Sequence, residues 1–177
     1  IFRIRLFLPE VHGAAAAQGA RPPARRQPRA YAGERRRLLV VDNEEPDREL
    51  LVQLLEPMGF ELRTAASGHD CLDLLAAGYQ PDVIFMDLAM PGIDGWETLR
   101  RVRAAGHEGI HMAIVSANAF DKGLENDVGI RPEDFIVKPV RHTELIDWLE
   151  RRLKLTWLYD APVLAAPETL VAAAPHI

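Results

Sequence analysis

The sequence has little with which to cross-link itself. Cys71 is its one cysteine, so no internal disulfide can form. That suits a reducing compartment and leaves stability to buried apolar surface. Long hydrophobic runs are missing too. No stretch approaches the roughly 18 consecutive apolar residues of a membrane span, so no membrane contact is expected from this chain. Positive charge is not in excess. The formal net charge is −5, which gives no reason to expect a nucleic-acid partner. A starting Met and a signal-peptide pattern are absent as well, and the chain is expected to begin partway through a longer, cytoplasmic protein. Apolar material is plentiful. Of the 177 residues, 48% are hydrophobic and 27% charged, the balance of a globular domain with a real core.

The chain opens with alternating apolar and basic residues, Phe2, Ile4 and Leu6 against Arg3 and Arg5. That is the period-two pattern of a half-buried strand, here over residues 1–8. Residues 9–36 then change character. Ala14 to Ala17, Pro22, Pro23, Pro28 and a series of arginines leave almost no large apolar side chain. Such a stretch offsets little of the entropy of ordering and is expected to be a flexible linker.

Regular patterning begins at residue 37. Short apolar runs at Leu38–Val41, Phe60–Ala65, Val83–Met86, Met112–Ser116 and Asp134–Val137 read as strands. Between them lie helical spacings: Leu50, Leu51, Leu54, Leu55 and Met58; Leu72, Leu75 and Ala76; Trp96, Leu99 and Val102. Pro46 suits a first helical turn, and Ser67 with Asp70 reads as a capping-box variant. The segment Ala117 to Asp127 is weakly helical, with Gly123 against it, and is expected to be the most mobile ordered element. Leu145, Ile146, Trp148, Leu149 and Leu153 mark a strong last helix. Residues 156–177 lose periodicity and are expected to be a tail or second linker. Five strands alternating with five helices predict an α/β fold, a parallel sheet covered on both faces by right-handed crossovers.

Four of these strands end in polar residues. Asp42, followed by Asn43, closes the first, Asp87 the third, Ser116 the fourth and Lys138 the fifth. In a parallel sheet these ends share one edge, where ligands bind in open α/β folds. Two carboxylates about 4 Å apart repel by roughly 4 kcal/mol at an effective dielectric of about 20. Lys138 can neutralise one charge, and a hard cation such as Mg²⁺ can balance the rest through oxygen ligands. A carboxylate, a cation, an ammonium and a hydroxyl together suit phosphoryl transfer, with Asp87 as nucleophile. Each residue alone has a plainer explanation, as a cap, a turn acid, a strand-end hydroxyl or a surface charge. Their joint placement at four strand ends argues for chemistry.

Residues 37–155 resemble a receiver domain of two-component signalling. The resemblance rests on Val40-Val41-Asp42, the run Met86-Asp87-Leu88-Ala89-Met90-Pro91-Gly92-Ile93-Asp94-Gly95, Val115-Ser116-Ala117 and Val137-Lys138-Pro139. It implies a flavodoxin-like doubly wound five-stranded sheet of order 2-1-3-4-5, an order the handed crossovers of such folds share. It further implies that Asp87 is the phosphoacceptor in a phosphorelay, charged from a kinase phosphohistidine. Asp42, Asn43, Asp87 and the Ala89 backbone carbonyl would hold Mg²⁺. Ser116 and Lys138 would engage the phosphoryl group. Phe135 stands at the switch aromatic position, and its ring would pack into space that Ser116 vacates. The Lys138–Pro139 bond is expected to be cis.

Asn43 departs from the family, which commonly has an acid there, so weaker Mg²⁺ binding is expected. The implied partner is a histidine kinase dimerisation and phosphotransfer domain, or a His phosphotransfer protein. Residues 1–8 resemble the closing strand of a kinase ATP-binding domain, which would make the parent a hybrid histidine kinase. The chain itself is expected to be a switching module with self-catalysed chemistry and not an enzyme. Two other readings use the same residues. One is a phosphatase of the haloacid dehalogenase type, which wants an acid where Ala89 stands. The other is a pseudo-receiver that only binds a partner.

Overall fold

A computed structural model describes residues 25–161 of the chain. Five strands form one parallel sheet: β2 (Arg37–Val41), β3 (Glu61–Ala65), β4 (Val83–Met86), β5 (His111–Ser116) and β6 (Phe135–Val137). Their spatial order is β3-β2-β4-β5-β6, which is 2-1-3-4-5 counted from the first strand of the sheet, as expected. A two-residue strand β1 (Ala30–Tyr31) precedes them in the chain. The Lys138–Pro139 bond is cis.

Alternation along the strands divides the core in two. Leu38, Val40, Val83, Phe85, Ala113, Val115 and Ile136 face one side. There they meet Leu51 and Leu55 of α1 (Glu45–Leu55) and Leu145, Trp148 and Leu149 of α4 (His142–Leu153). Leu39, Val41, Ile84, Met86, Met112 and Ile114 face the other. They meet Cys71 and Leu75 of α2 (Gly68–Ala76) and Leu99 and Val102 of α3 (Gly95–Ala104). Burial on both faces explains why the central strands read as unbroken apolar runs. The helix starts follow local chemistry. Pro46 lies in the first turn of α1. Ser67 Oγ accepts the Asp70 N–H at 3.0 Å, and Asp94 accepts the Glu97 N–H at 2.8 Å.

Three details differ from the expectation. Of the five helices expected, the described residues hold four α-helices. The segment at 117–127 contributes only a 3₁₀ turn, Ala119–Gly123. Its apolar side chains do not line a face: Phe120 is 88% exposed and Leu124 54% exposed. Asn118 spends its side chain on the Phe120 N–H, which favours a local turn over a continuing helix. Val128 and Ile130, just beyond, are buried in the second core instead.

The ordered domain also runs past residues 37 and 155. β1 pairs antiparallel with β7 (Trp157–Leu158), and Arg29 N and Ala32 N donate to Leu158 O and Thr156 O. Tyr31 stacks 4.5 Å from Phe60, and Trp157 meets both rings edge-on. The Tyr31 hydroxyl accepts the Arg36 N–H at 2.8 Å and donates to Gly59 O at 3.3 Å. Tyr31, one aromatic in a stretch rich in Ala, Pro and Arg, helps to dock it, a signal that average composition hides. The expected strand at residues 1–8, the linker as far as residue 24 and the tail from residue 162 lie outside the described residues. The last strand starts one residue later than expected. Asp134 sits in a 3₁₀ turn (Pro132–Asp134), buried, where it accepts hydrogen bonds from Trp148 Nε1 and Arg152 of α4.

Candidate functional site

The carboxyl ends of β2, β4, β5 and β6 bring Asp42, Asp87, Ser116 and Lys138 to one edge, and Asp42, Asp87 and Ser116 are buried there. Lys138 is the centre. Its Nζ donates to Asp42 Oδ2 at 2.8 Å, to Asp47 Oδ2 at 2.8 Å and to Asp87 Oδ1 at 3.4 Å. Asp42 Oδ1 also accepts the Glu44 N–H at 2.8 Å, which fixes the turn into α1. Asp87 is held by its own N–H on Val41 O at 2.9 Å. The loop after it is pinned where Gly95 N donates to Leu88 O at 3.1 Å. A Cβ on Gly95 would lie 2.3 Å from Asp87 O and 2.8 Å from Leu88 Cα. Only glycine lets α3 approach the Asp87 loop this closely.

Charge and burial set the electrostatics. Burial pushes the Asp87 carboxyl above its ordinary range; the charges of Asp42 and Asp47 add to this and Lys138 opposes it. Burial works to lower the Lys138 ammonium, but its hydrogen bonds to Asp42 and Asp47 and the nearby Asp42 and Asp87 charges outweigh it. The ammonium is therefore held above its usual value and stays charged. Cys71 is unconnected with this chemistry. It is fully buried, and burial pushes its thiol up to about 12, so it packs as a protonated apolar group.

Asp47 is the residue that sequence reasoning missed. It lies in the first turn of α1, where an acid has an ordinary role beside a helix N-terminus. Its spacing from Asp42 across the turn was the available signal. Ser116 reaches the same edge but is engaged elsewhere. Its Oγ donates to Asp121 Oδ2 at 2.7 Å and accepts the Asn118 N–H at 3.1 Å. Phe135 is already buried, its ring centroid 6.0 Å from that of Trp96. Asn43 is half-buried and donates through Nδ2 to Glu44 Oε1 at 3.1 Å. Ala89 is exposed in the loop after β4.

Among the described residues no group of three or more His, Cys, Asp or Glu side chains is arranged to hold a metal. The donor set nonetheless has the right chemistry for a hard cation. Asp42 and Asp87 are close enough to share one ammonium, and Asn43 and the Ala89 carbonyl would add neutral oxygens. Beside Lys138 lies a cavity of about 100 Å³, lined by Asp42, Asp47, Leu51, Val115 and Pro139. It is far below the ~300 Å³ or more of an organic-ligand pocket. A larger open hollow, about 610 Å³, lies along α4 at Arg141, Glu144 and Asp147, and none of Asp42, Asp87, Ser116 and Lys138 lines it.

These features define a flavodoxin-like doubly wound domain with an acidic, lysine-bridged site at the carboxyl edge of its sheet. Residues 38–150 match the response regulator receiver domain, and the chain belongs to that family. Solved structures agree on the fold. A CheY-like receiver domain from Methylobacillus flagellatus is 24% identical, with 67% of this chain and 99% of that one covered and a TM-score of 0.58. A protein described as a response regulator from Chloroflexus aurantiacus is 26% identical, with 68% and 99% covered and a TM-score of 0.57. The signal receiver domain of an HD domain-containing protein from Pseudomonas fluorescens is 24% identical, with 68% and 96% covered and a TM-score of 0.59. Among the described residues no helix is long and apolar enough to cross a membrane.

Proposed function

We propose that the domain accepts a phosphoryl group on Asp87 from a phosphohistidine and changes its signalling face in response. The observation that carries this reading is the bridging of Asp42 and Asp87 by Lys138 at the carboxyl edge. In the transfer an Asp87 Oδ attacks phosphorus in line. The new O–P bond forms as the P–N bond to the donor imidazole breaks, and the imidazole leaves with the bonding pair and takes up a proton. Lys138 Nζ, held charged between the acids, stabilises the equatorial phosphoryl oxygens. Asp42 and Asp87, with Asn43 and the Ala89 carbonyl, would hold Mg²⁺, which when bound supplies further neutralisation of the phosphoryl charge. The neutral amide of Asn43 makes that binding weaker than a third carboxylate would.

The Ser116 hydroxyl is the group left to recognise the product. It must leave Asp121 to donate to a phosphoryl oxygen, and it thereby releases the turn Ala119–Gly123 with its exposed Phe120. A dianionic group at Asp87 also repels the Asp121 carboxylate, so charge and hydrogen bonding drive the same change. Switching on this chain then runs through the turn. The domain acts as a switch and not as a turnover enzyme. Its donor is the phosphotransfer domain of a histidine kinase, on the same polypeptide if the parent is a hybrid kinase, or a His phosphotransfer protein. The dehalogenase-type reading loses support at Ala89, an exposed alanine where that chemistry needs an acid.

Incubation with Mg²⁺ and acetyl phosphate is expected to add one phosphoryl group, seen as a single mass increment. Asp87→Ala is expected to abolish it. Labelling that persists in Asp87→Ala refutes the site, and an unlabelled wild type favours the pseudo-receiver reading.

A further inference from the structure

Lys138 presents three N–H donors, and three carboxylates take them. The two short bonds go to Asp42 and Asp47, and the long one goes to Asp87. Asp42 and Asp87 are buried, whereas the Asp47 side chain is 40% exposed. Asp47 therefore keeps much of its hydration while holding the ammonium. It also sits in the first turn of α1, behind Glu45 and Pro46, where the helix N-terminus favours its charge. The side chain following Asp42 is the neutral Asn43, so Asp47 is the third acid of the crevice, supplied from the helix and not from the strand end.

Among the described residues, Lys138 without Asp47 would have only Asp42 and Asp87 to pair with and would close on Asp87. Its ammonium would then cover the oxygen that has to attack phosphorus. If Asp42 were taken up by another cation, an ammonium without Asp47 would be left half-paired on a side chain only 18% exposed to solvent. Resting on the phosphoacceptor reading above, we propose that Asp47 is a positioning residue: it anchors Lys138 on the α1 side of the crevice and keeps Asp87 available to a phosphodonor. It touches neither the donor nor the acceptor and acts through Lys138 alone.

Two measurements on the full chain test this, with Asp47→Asn and with Asp47→Glu as the conservative rescue. The first is the rate at which an amine-acylating reagent modifies Lys138 in metal-free protein, followed by peptide mass spectrometry. Loss of one of three carboxylate partners is expected to raise that rate several-fold in Asp47→Asn and to be reversed in Asp47→Glu. The second is the initial rate of Asp87 phosphorylation by acetyl phosphate with Mg²⁺, in which the new O–P bond forms and acetate leaves with the P–O bonding pair. That rate is expected to fall about fivefold in Asp47→Asn at an unchanged melting temperature, and to recover in Asp47→Glu. In a Lys138→Met background the Asp47→Asn change is expected to have no further effect on phosphorylation. Equal Lys138 modification in wild type and Asp47→Asn overturns the proposal. So does faster modification with an unchanged phosphorylation rate. A wild type that gains no phosphoryl group at all sinks the phosphoacceptor reading and the positioning role with it, while the modification rates still report whether Asp47 holds Lys138.

Discussion

Replacing Asp121 by Ala should make the site bind a phosphoryl group more tightly. In the structure Ser116 Oγ donates to Asp121 Oδ2 at 2.7 Å. A hydrogen bond to a charged group contributes about 1.5–3 kcal/mol net. Asp121 is half-buried, and its other oxygen accepts from Asn118 Nδ2 at 3.1 Å, so the turn can relax. A competing term near 1 kcal/mol is the reasonable expectation, equivalent to about fivefold in affinity. Beryllofluoride with Mg²⁺ is a stable phosphoryl mimic for a carboxylate, and Trp96, which packs on Phe135, offers a fluorescence signal. Asp121→Ala is expected to lower the Kd for beryllofluoride about fivefold, and Asp121→Asn to lower it less. Both gains should shrink in a Ser116→Ala background, where no hydroxyl remains to be released and only the charge repulsion is relieved. An equal gain in that background would show that only charge repulsion acts. No gain in either would refute the competition altogether.

Three further expectations concern the frame of the site. Asp87 is raised above its ordinary range, so the folded state holds that proton more tightly than the unfolded chain does. Its contribution to stability is complete below the usual Asp range and is lost as pH rises through the folded value. Asp87→Asn in metal-free protein should therefore melt higher than wild type at pH 7, with the gap closing toward pH 4 (about the ordinary Asp value); a lower melting point at pH 7 contradicts the assignment. Gly95→Ala pushes a Cβ onto the Asp87 carbonyl and should cost about 1–3 kcal/mol in denaturant unfolding, with slower phosphorylation; unchanged values for both would show that the loop yields freely. Tyr31→Ala should cost roughly 1–3 kcal/mol by removing the ring between Phe60 and Trp157, and an unaltered midpoint would return residues 25–36 to the status of linker.

Much of the fold was legible because its signals are local. Leu38–Val41 and Val83–Met86 are buried on both faces, and such strands announce themselves as apolar runs closed by an acid. The helix start expected at Ser67 is a one-turn capping effect; the cap at Asp94 is of the same local kind but went unread. The weak segment at 117–127 shows the limit. Its spacing allowed a helix, but Val128 and Ile130 occupy the apolar surface and leave Phe120 outside. Tyr31 and Trp157 show a second limit, since pairing between residues more than a hundred positions apart has no local trace.

The same division holds at the site. By itself the sequence determined that Asp42, Asp87, Ser116 and Lys138 end four strands, and parallel topology then obliges them to share an edge. Tertiary structure alone decided how those groups are paired. It turned Ser116 toward Asp121, buried Phe135 against Trp96, and brought Asp47 from α1 to share Lys138. The physical reason is that strand order is set by backbone pairing and hydrophobic period. The partner of a charged side chain depends instead on distances of a few tenths of an ångström between elements distant in the chain.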